Sequence, residues 1–303
     1  MDLVVGATGK LGRAIVRRRL ARGQPVRALT RQPERAADLR AAGADVVRGD
    51  LRDPASVRKA LEGVSAVVAA AHSLLGRGAN ATERVDDLGH RQLIDRAQHI
   101  GIQHFVYTSI IGASPDHPID FWRIKARIEE YLRSSGLPYT IFRPTAFIET
   151  HAHALLGEPF VRKGTALLFG RGDTPRNFVS VQDVAELMVR ALEDPGLQGR
   201  TIEVGGVDNF TDRQVLELYA AFSGRELRMR RVPSQVLSLF SRLLRPIHPG
   251  LSRVMRISVL QDRDQLASSF DATRMMEQYQ FQPMRLRDWI STRLSAGSAA
   301  PRD

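Results

Sequence analysis

Along the first half of the chain, short apolar runs alternate with longer segments whose apolar residues recur at helical spacing. The runs Leu3–Val5, Pro25–Leu29, Asp45–Val47, Ala66–Ala70, His104–Tyr107 and Tyr139–Phe142 predict six strands. Between them, Lys10–Arg22, Pro33–Ala42, Pro54–Leu61, Val85–His99 and Ile124–Arg133 predict helices, several followed by a glycine that would end them. The strands are almost wholly apolar, as expected where helices cover both faces of a sheet. Strands separated by helices imply parallel pairing, so the pattern predicts an α/β fold with a doubly wound parallel Rossmann sheet.

After Arg143–Pro144 the rhythm loosens. Phe160–Phe178 contains Gly164, Gly170, Gly172 and Pro175 and predicts loops and short strands. Val181–Leu192 predicts a helix, Thr201–Val204 a strand, and Thr211–Phe222 a helix capped by Thr211 or Asn209. The last 80 residues read as irregular, and 296–303 as a disordered tail. The domain reading is a cofactor-binding Rossmann domain over 1–150, with 178–200 packing back on it. A smaller, discontinuous C-terminal substrate lobe takes 151–177 and 201–295.

Gly6-Ala-Thr8-Gly9-Lys10-Leu11-Gly12 follows the first strand at once and opens the first helix. Gly6 permits a tight turn, Gly9 lets backbone approach a pyrophosphate, and Gly12 lets the helix pack closely on the sheet. The helix N-terminus offers N–H groups and a positive dipole end to that anion. The position of this loop, more than its spacing, predicts dinucleotide binding. The second strand ends Ala28-Leu29-Thr30-Arg31, without the acid that would hold an adenosine ribose diol. An arginine there suits a 2′-phosphate, which it can bind in a bidentate, charge-assisted way, so NADP(H) is the expected cofactor. At the third strand, Asp50 would accept from the adenine amino group and Leu51 would cover its face.

Composition narrows the rest. The chain has 303 residues, 44 basic against 33 acidic, a net charge of +11 and no cysteine. Disulfides, thiolate metal sites and cysteine nucleophiles are therefore excluded. No other cluster has metal-ligand spacing; His151 and His153, two apart, would not share a helix face. No apolar run reaches the length of a bilayer span, and the N-terminus carries no leader pattern, so a soluble cytoplasmic protein is expected. Only four of the 44 basic residues are lysines: Lys10, Lys59, Lys125 and Lys163. Arginine is the general cation of this chain, and the excess is local only between Arg225 and Arg256, with eight Arg and one Glu.

Taken together, several segments resemble the atypical, extended short-chain dehydrogenases/reductases, specifically the NmrA-like group. They are VVGATGKLGR at 4–13, Arg31, GDL at 49–51, Asp87-Leu88-Gly89, FVYTS at 105–109, and Lys125 with Glu129 and Tyr131. YTIFRP at 139–144, NFVSVQDVA at 177–185 and TIEVGG at 201–206 complete the match, which covers about residues 2–230. The resemblance implies the Rossmann fold and an NAD(P) cofactor. It implies the reaction less firmly, because the group includes quinone and aromatic reductases, epimerase relatives, and redox sensors that bind NADP(H) without catalysis. It also implies that Ala70 and Ala71 after the fourth strand, and Pro144 and Thr145 after the sixth, run past the cofactor.

Typical members use a Ser and a Tyr-x-x-x-Lys, the Tyr transferring the proton and the Lys lowering its pKa and holding the nicotinamide ribose. Here Ser109 and Lys125 stand at the matching places, but four residues before Lys125 is Phe121, which has no titratable oxygen. Three routes remain open. Lys125 or a water supplies the proton while a quinone or conjugated carbonyl is reduced; His72 or Tyr107 substitutes; or no chemistry occurs and the protein is an NADP(H) sensor or scaffold for a protein partner. His72 and Phe147 are the candidate substrate-pocket residues. The expected partner is a small, apolar substrate.

Residues 232–260 mix Val236, Leu237, Leu239, Phe240, Leu243 and Leu244 with Arg242 and Arg245, and break at Pro246 and Pro249. Such a segment suits a lobe helix with a basic edge, a lid over an apolar substrate, an anionic membrane surface, or a partner subunit in a homodimer. Nucleic-acid binding has no helix-turn-helix or aromatic platform behind it.

Overall fold

The computed structural model describes residues 1–266 and 269–298. The chain runs through β1 (Asp2–Val5), α1 (Lys10–Ala21), β2 (Val26–Thr30), α2 (Ala37–Ala41), β3 (Asp45–Arg48), α3 (Pro54–Ala60) and β4 (Ala66–Ala69). Next come α4 (His90–His99), β5 (His104–Thr108), α5 (Asp120–Ser134), β6 (Tyr139–Pro144), β7 (Ala146–Phe147), α6 (Glu158–Lys163), β8 (Ala166–Phe169) and β9 (Arg176–Val179). It then forms α7 (Val181–Glu193), β10 (Arg200–Val204), β11 (Asn209–Phe210), α8 (Asp212–Ser223) and β12 (Met229–Val232). The described chain closes with α9 (Ser234–Leu244), α10 (Pro249–Asp262), α11 (Thr273–Tyr279) and α12 (Leu286–Ser298).

Two compact units result: 1–143 with 181–203, and 144–180 with 204–303. The first holds the seven-stranded sheet, in the order β10-β6-β5-β4-β1-β2-β3. Its pairs β1–β2, β2–β3, β1–β4, β4–β5 and β5–β6 are all parallel. The order reverses at β1, between β2 and β4, which opens the crevice where doubly wound sheets bind their ligands. The core of this unit joins Leu3, Val5, Leu29, Val67, Phe105 and Ile141 of the strands to Leu93, Ile94, Ile128 and Leu132 of the helices. The general use of arginine has a structural counterpart in the pairing of α1 with α7. Arg18 pairs with Glu186, Arg19 with Asp2 and Glu193, and Arg22 with both glutamates.

The second unit packs Ile148, Phe160, Leu168, Phe178, Tyr219 and Ile290 into its own core. Its small sheets are β11-β9-β7 and the parallel pair β12-β8.

Three expectations need correction. Residues past 223 are mostly helical, in α9 to α12, rather than irregular. Prolines hid this: Pro249 occupies the first turn of α10, where its missing N–H costs nothing, so the break at 246–249 separates two helices. The helix α12 reaches Ser298, so 296–298 are not tail, and 299–303 lie outside the described residues. Finally, α5 begins at Asp120, four residues before the expected start, which brings Phe121 onto the same helix as Lys125.

Candidate functional site

The glycine loop has the shape its sequence requires. Gly6 takes φ +81°, and a Cβ there would come within 2.8 Å of the Ala71 backbone. A Cβ on Gly12 would fall 2.3 Å from the Gly6 carbonyl oxygen, so only glycine lets α1 approach the turn. No side chain caps α1; its N-cap residue Gly9 is exposed beside exposed Lys10 and half-buried Thr8. Leu11 is buried behind them. Ala70 and Ala71 line the facing end of β4, where the Ala70 N–H donates to the Val5 carbonyl. A pyrophosphate cradle of backbone and helix dipole fits these residues.

At the end of β2, the Thr8 and Thr30 hydroxyls lie 3.4 Å apart. Arg31 is exposed, and its Nη1 donates to Asn80 Oδ1 at 2.6 Å, which holds the guanidinium at the rim of the crevice. Asp50 is engaged by Arg52, whose Nε donates to Oδ1 at 2.9 Å and whose Nη2 donates to Oδ2. The Arg52 hydrogen bonds hold the Asp50 carboxyl below its usual range. Leu51 is 5% exposed and packs in the core.

Lys125 is 2% exposed. Its Nζ donates to the Thr108 carbonyl at 3.0 Å, lies 3.7 Å from Asp86 Oδ1, and stands over the rings of Tyr107 and Phe121. Burial lowers its pKa, and the charges of Asp86 and Glu129 oppose that shift. Asp86 is fully buried and accepts from the Ser73 N–H at 2.9 Å. A π-helical turn over Glu83–Gly89, with Asp86 buried in it, leads into α4 at His90; π turns often mark functional sites. His90 donates from Nδ1 to the Val85 carbonyl at 3.0 Å, and its Nε2 has no hydrogen-bond partner. Burial first, and the Lys125 charge second, push its pKa down to about 3. The Tyr107 hydroxyl is likewise buried without a hydrogen-bond partner, edge-on to His90 at 5.5 Å between centroids. Burial and nearby carboxylates raise its pKa well above the ordinary tyrosine value, so it is a poor proton donor.

The Ser109 hydroxyl is engaged within the protein. Its hydroxyl donates to Glu129 Oε1 at 2.5 Å, and Glu129 also takes a bidentate pair from Arg143 and a further bond from Arg133. Phe121 sits edge-on to His72 with centroids 6.2 Å apart. Desolvation first, and the Lys125 charge second, lower the His72 pKa.

Pro144, Thr145 and Phe147 fall in the second unit. Thr145 is buried, its hydroxyl donating to Asn177 Oδ1 at 2.9 Å, and Phe147 is half-buried where β7 pairs with β9. Sequence reasoning missed Asp86, His90, Arg52 and Asn80. Asp86 and His90 were detectable in principle: they continue the Leu93–Ala97 buried face of α4 as a polar pair at i, i+4.

The model of the NAD(P)H-binding family matches residues 6–195. The chain belongs to this family. It is 32% identical over 244 residues to the photosystem II assembly factor Ycf39 of Guillardia theta, covering 80% of this chain and 76% of that protein. It is 33% identical over 233 residues to the (4-alkanoyl-5-oxo-2,5-dihydrofuran-3-yl)methyl phosphate reductase of Streptomyces griseus, covering 77% of each. The fold matches that of the NADPH-dependent quinone oxidoreductase QOR2 of Escherichia coli, solved with NADPH. That match has a TM-score of 0.75 at 23% identity and covers 97% of this chain and 100% of that one.

Proposed function

We propose that the protein is an NADPH-dependent reductase of quinones or conjugated carbonyls. One observation carries the reading: the site keeps the buried Lys125 but has no acidic hydroxyl to go with it. Phe121 replaces the tyrosine, and the Ser109 hydroxyl is spent on Glu129. A simple ketone needs an acid as negative charge collects on its oxygen, and such an acid is worth roughly 10²- to 10⁴-fold. A quinone or enone spreads that charge over its conjugated system and takes its proton from water. NADPH, when bound, supplies the hydride. Gly6, Gly9 and Gly12 admit the pyrophosphate, Arg31 binds the 2′-phosphate, and Lys125 orders the Thr108 carbonyl at the end of β5. The apolar substrate would meet His72 and Phe121.

The test is NADPH oxidation by the purified protein across quinones, enones and unconjugated aldehydes. Turnover of the conjugated acceptors, with unconjugated ones at least about 100-fold slower, supports the reading. A second reading, a sensor or scaffold that binds NADP(H) for a protein partner, draws on the same missing hydroxyl and on relatives named as assembly factors. Tight NADPH binding with no turnover on any acceptor would favour it and defeat the first.

A further inference from the structure

Among the described residues, fourteen large apolar side chains stand exposed, and six of them lie within one stretch, from Val236 to Leu251. Val236, Leu239, Phe240 and Leu243 recur at i, i+3, i+4 and i+7 along α9, an arc of about 100°. Leu239 is 57% exposed, Leu243 59%, and Ile247 just beyond is 68%. The other face of α9 is already used: Leu237 and Ser241 are buried, and the Ser252 hydroxyl of α10 donates to the Ser241 carbonyl at 2.6 Å. The open stripe leaves Leu239, Leu243 and Ile247 more than half exposed, and a water-facing apolar stripe of this size marks an interaction surface.

The charge around the stripe sets the occupant. Arg230, Arg231, Arg242, Arg245 and Arg256 are all exposed. Among the described residues none of these five has a carboxylate in ion-pairing range, whereas the arginines of α1 are zipped to acids. Residues 225–256 hold eight arginines and one glutamate. Two copies meeting through this face would bring like charges together. An anionic lipid surface instead satisfies both parts: the apolar side chains enter the acyl boundary, and the arginines reach headgroup phosphates along their aliphatic stems. We infer that the α9–α10 pair docks the protein on an anionic bilayer surface, without spanning it; no helix among the described residues is long and apolar enough to cross a membrane.

Flotation of the full chain with phosphatidylcholine vesicles, with and without phosphatidylglycerol, tests this. The protein should float with the anionic vesicles only, and added salt should release it. Leu239→Ser with Leu243→Ser should weaken partitioning by at least about tenfold, as expected for two leucines denied burial. Arg242→Gln with Arg245→Gln should weaken it as well. Thermal melting and NADPH binding should be unchanged in both variants, because these side chains are exposed and lie outside the nucleotide loop. The inference is overturned if the wild-type chain stays soluble beside anionic vesicles, or if the leucine variant floats equally. It is also overturned if light scattering finds a dimer that the leucine variant dissociates, which would make a second copy the occupant.

Discussion

Replacing Lys125 with methionine removes one member of a buried ion pair and leaves the other in place. The side chains of Lys125 and Asp86 are 3% and 0% exposed and 3.7 Å apart. At an effective dielectric of about 20, two unit charges at 3.7 Å attract by about 4.5 kcal/mol. Desolvation opposes that gain, so the intact pair contributes little net stability, while breaking it strands a buried charge at a cost of about 3–5 kcal/mol. Glu129 does not share the exposure, because Arg133 and Arg143 neutralise it. Lys125→Met and Asp86→Asn should therefore each lower the stability of the first unit by about 3–5 kcal/mol, which moves a urea midpoint by about 1–2 M. The double variant should lose much less than the sum, with a coupling of about 3 kcal/mol or more. Trp122 reports on this unit once Trp289, in the other, is replaced by Phe, so the transition read is that of one unit. Additive losses, within about 0.5 kcal/mol, would refute the pairing and with it the view that Asp86 is what holds Lys125 charged.

Four further outcomes follow from the site. His90 has an ordinary value of 6.5 in the unfolded chain and about 3 when folded. The native state therefore refuses a proton that the unfolded chain accepts. Its contribution to stability is full above about pH 6.5 and falls by about 1.4 kcal/mol per pH unit on the way down to about 3, so His90→Leu should flatten the acid limb of a urea-stability profile. Arg31→Ala should weaken NADPH binding by about 10- to 100-fold, the worth of a charged hydrogen bond, with NADH binding unchanged in a fluorescence titration; equal losses would contradict a 2′-phosphate role. Gly12→Ala, whose Cβ would sit 2.3 Å from the Gly6 oxygen, should abolish NADPH binding in the same titration or lower the melting temperature. Phe121→Tyr places a hydroxyl near Lys125 and should raise reduction of unconjugated carbonyls by about 100-fold while leaving quinones little changed.

The alternation of apolar runs and helical segments determined the sheet and its parallel strands, because period and composition act locally and survive without tertiary context. The glycine loop was equally legible: Gly6, Gly9 and Gly12 are required by backbone geometry that neighbours in sequence impose. Arg31 could be placed at the end of β2 for the same reason, but its anchor, Asn80, is 49 residues away and only the fold brings it there. The same holds around Lys125. Sequence located Ser109, Phe121 and Lys125; the hydrogen bond that engages the Ser109 hydroxyl depends on Glu129, held in turn by Arg143 of another strand. Asp86 and His90 continue the helical spacing of Leu93 and Ala97, but their partners, Lys125 of α5 and Tyr107 of β5, are brought to them only by the fold. The last 80 residues went the other way. Their helices were hidden by prolines and by an apolar stripe that none of the described residues covers, and only the packed structure separated the buried face of α9 from the open one.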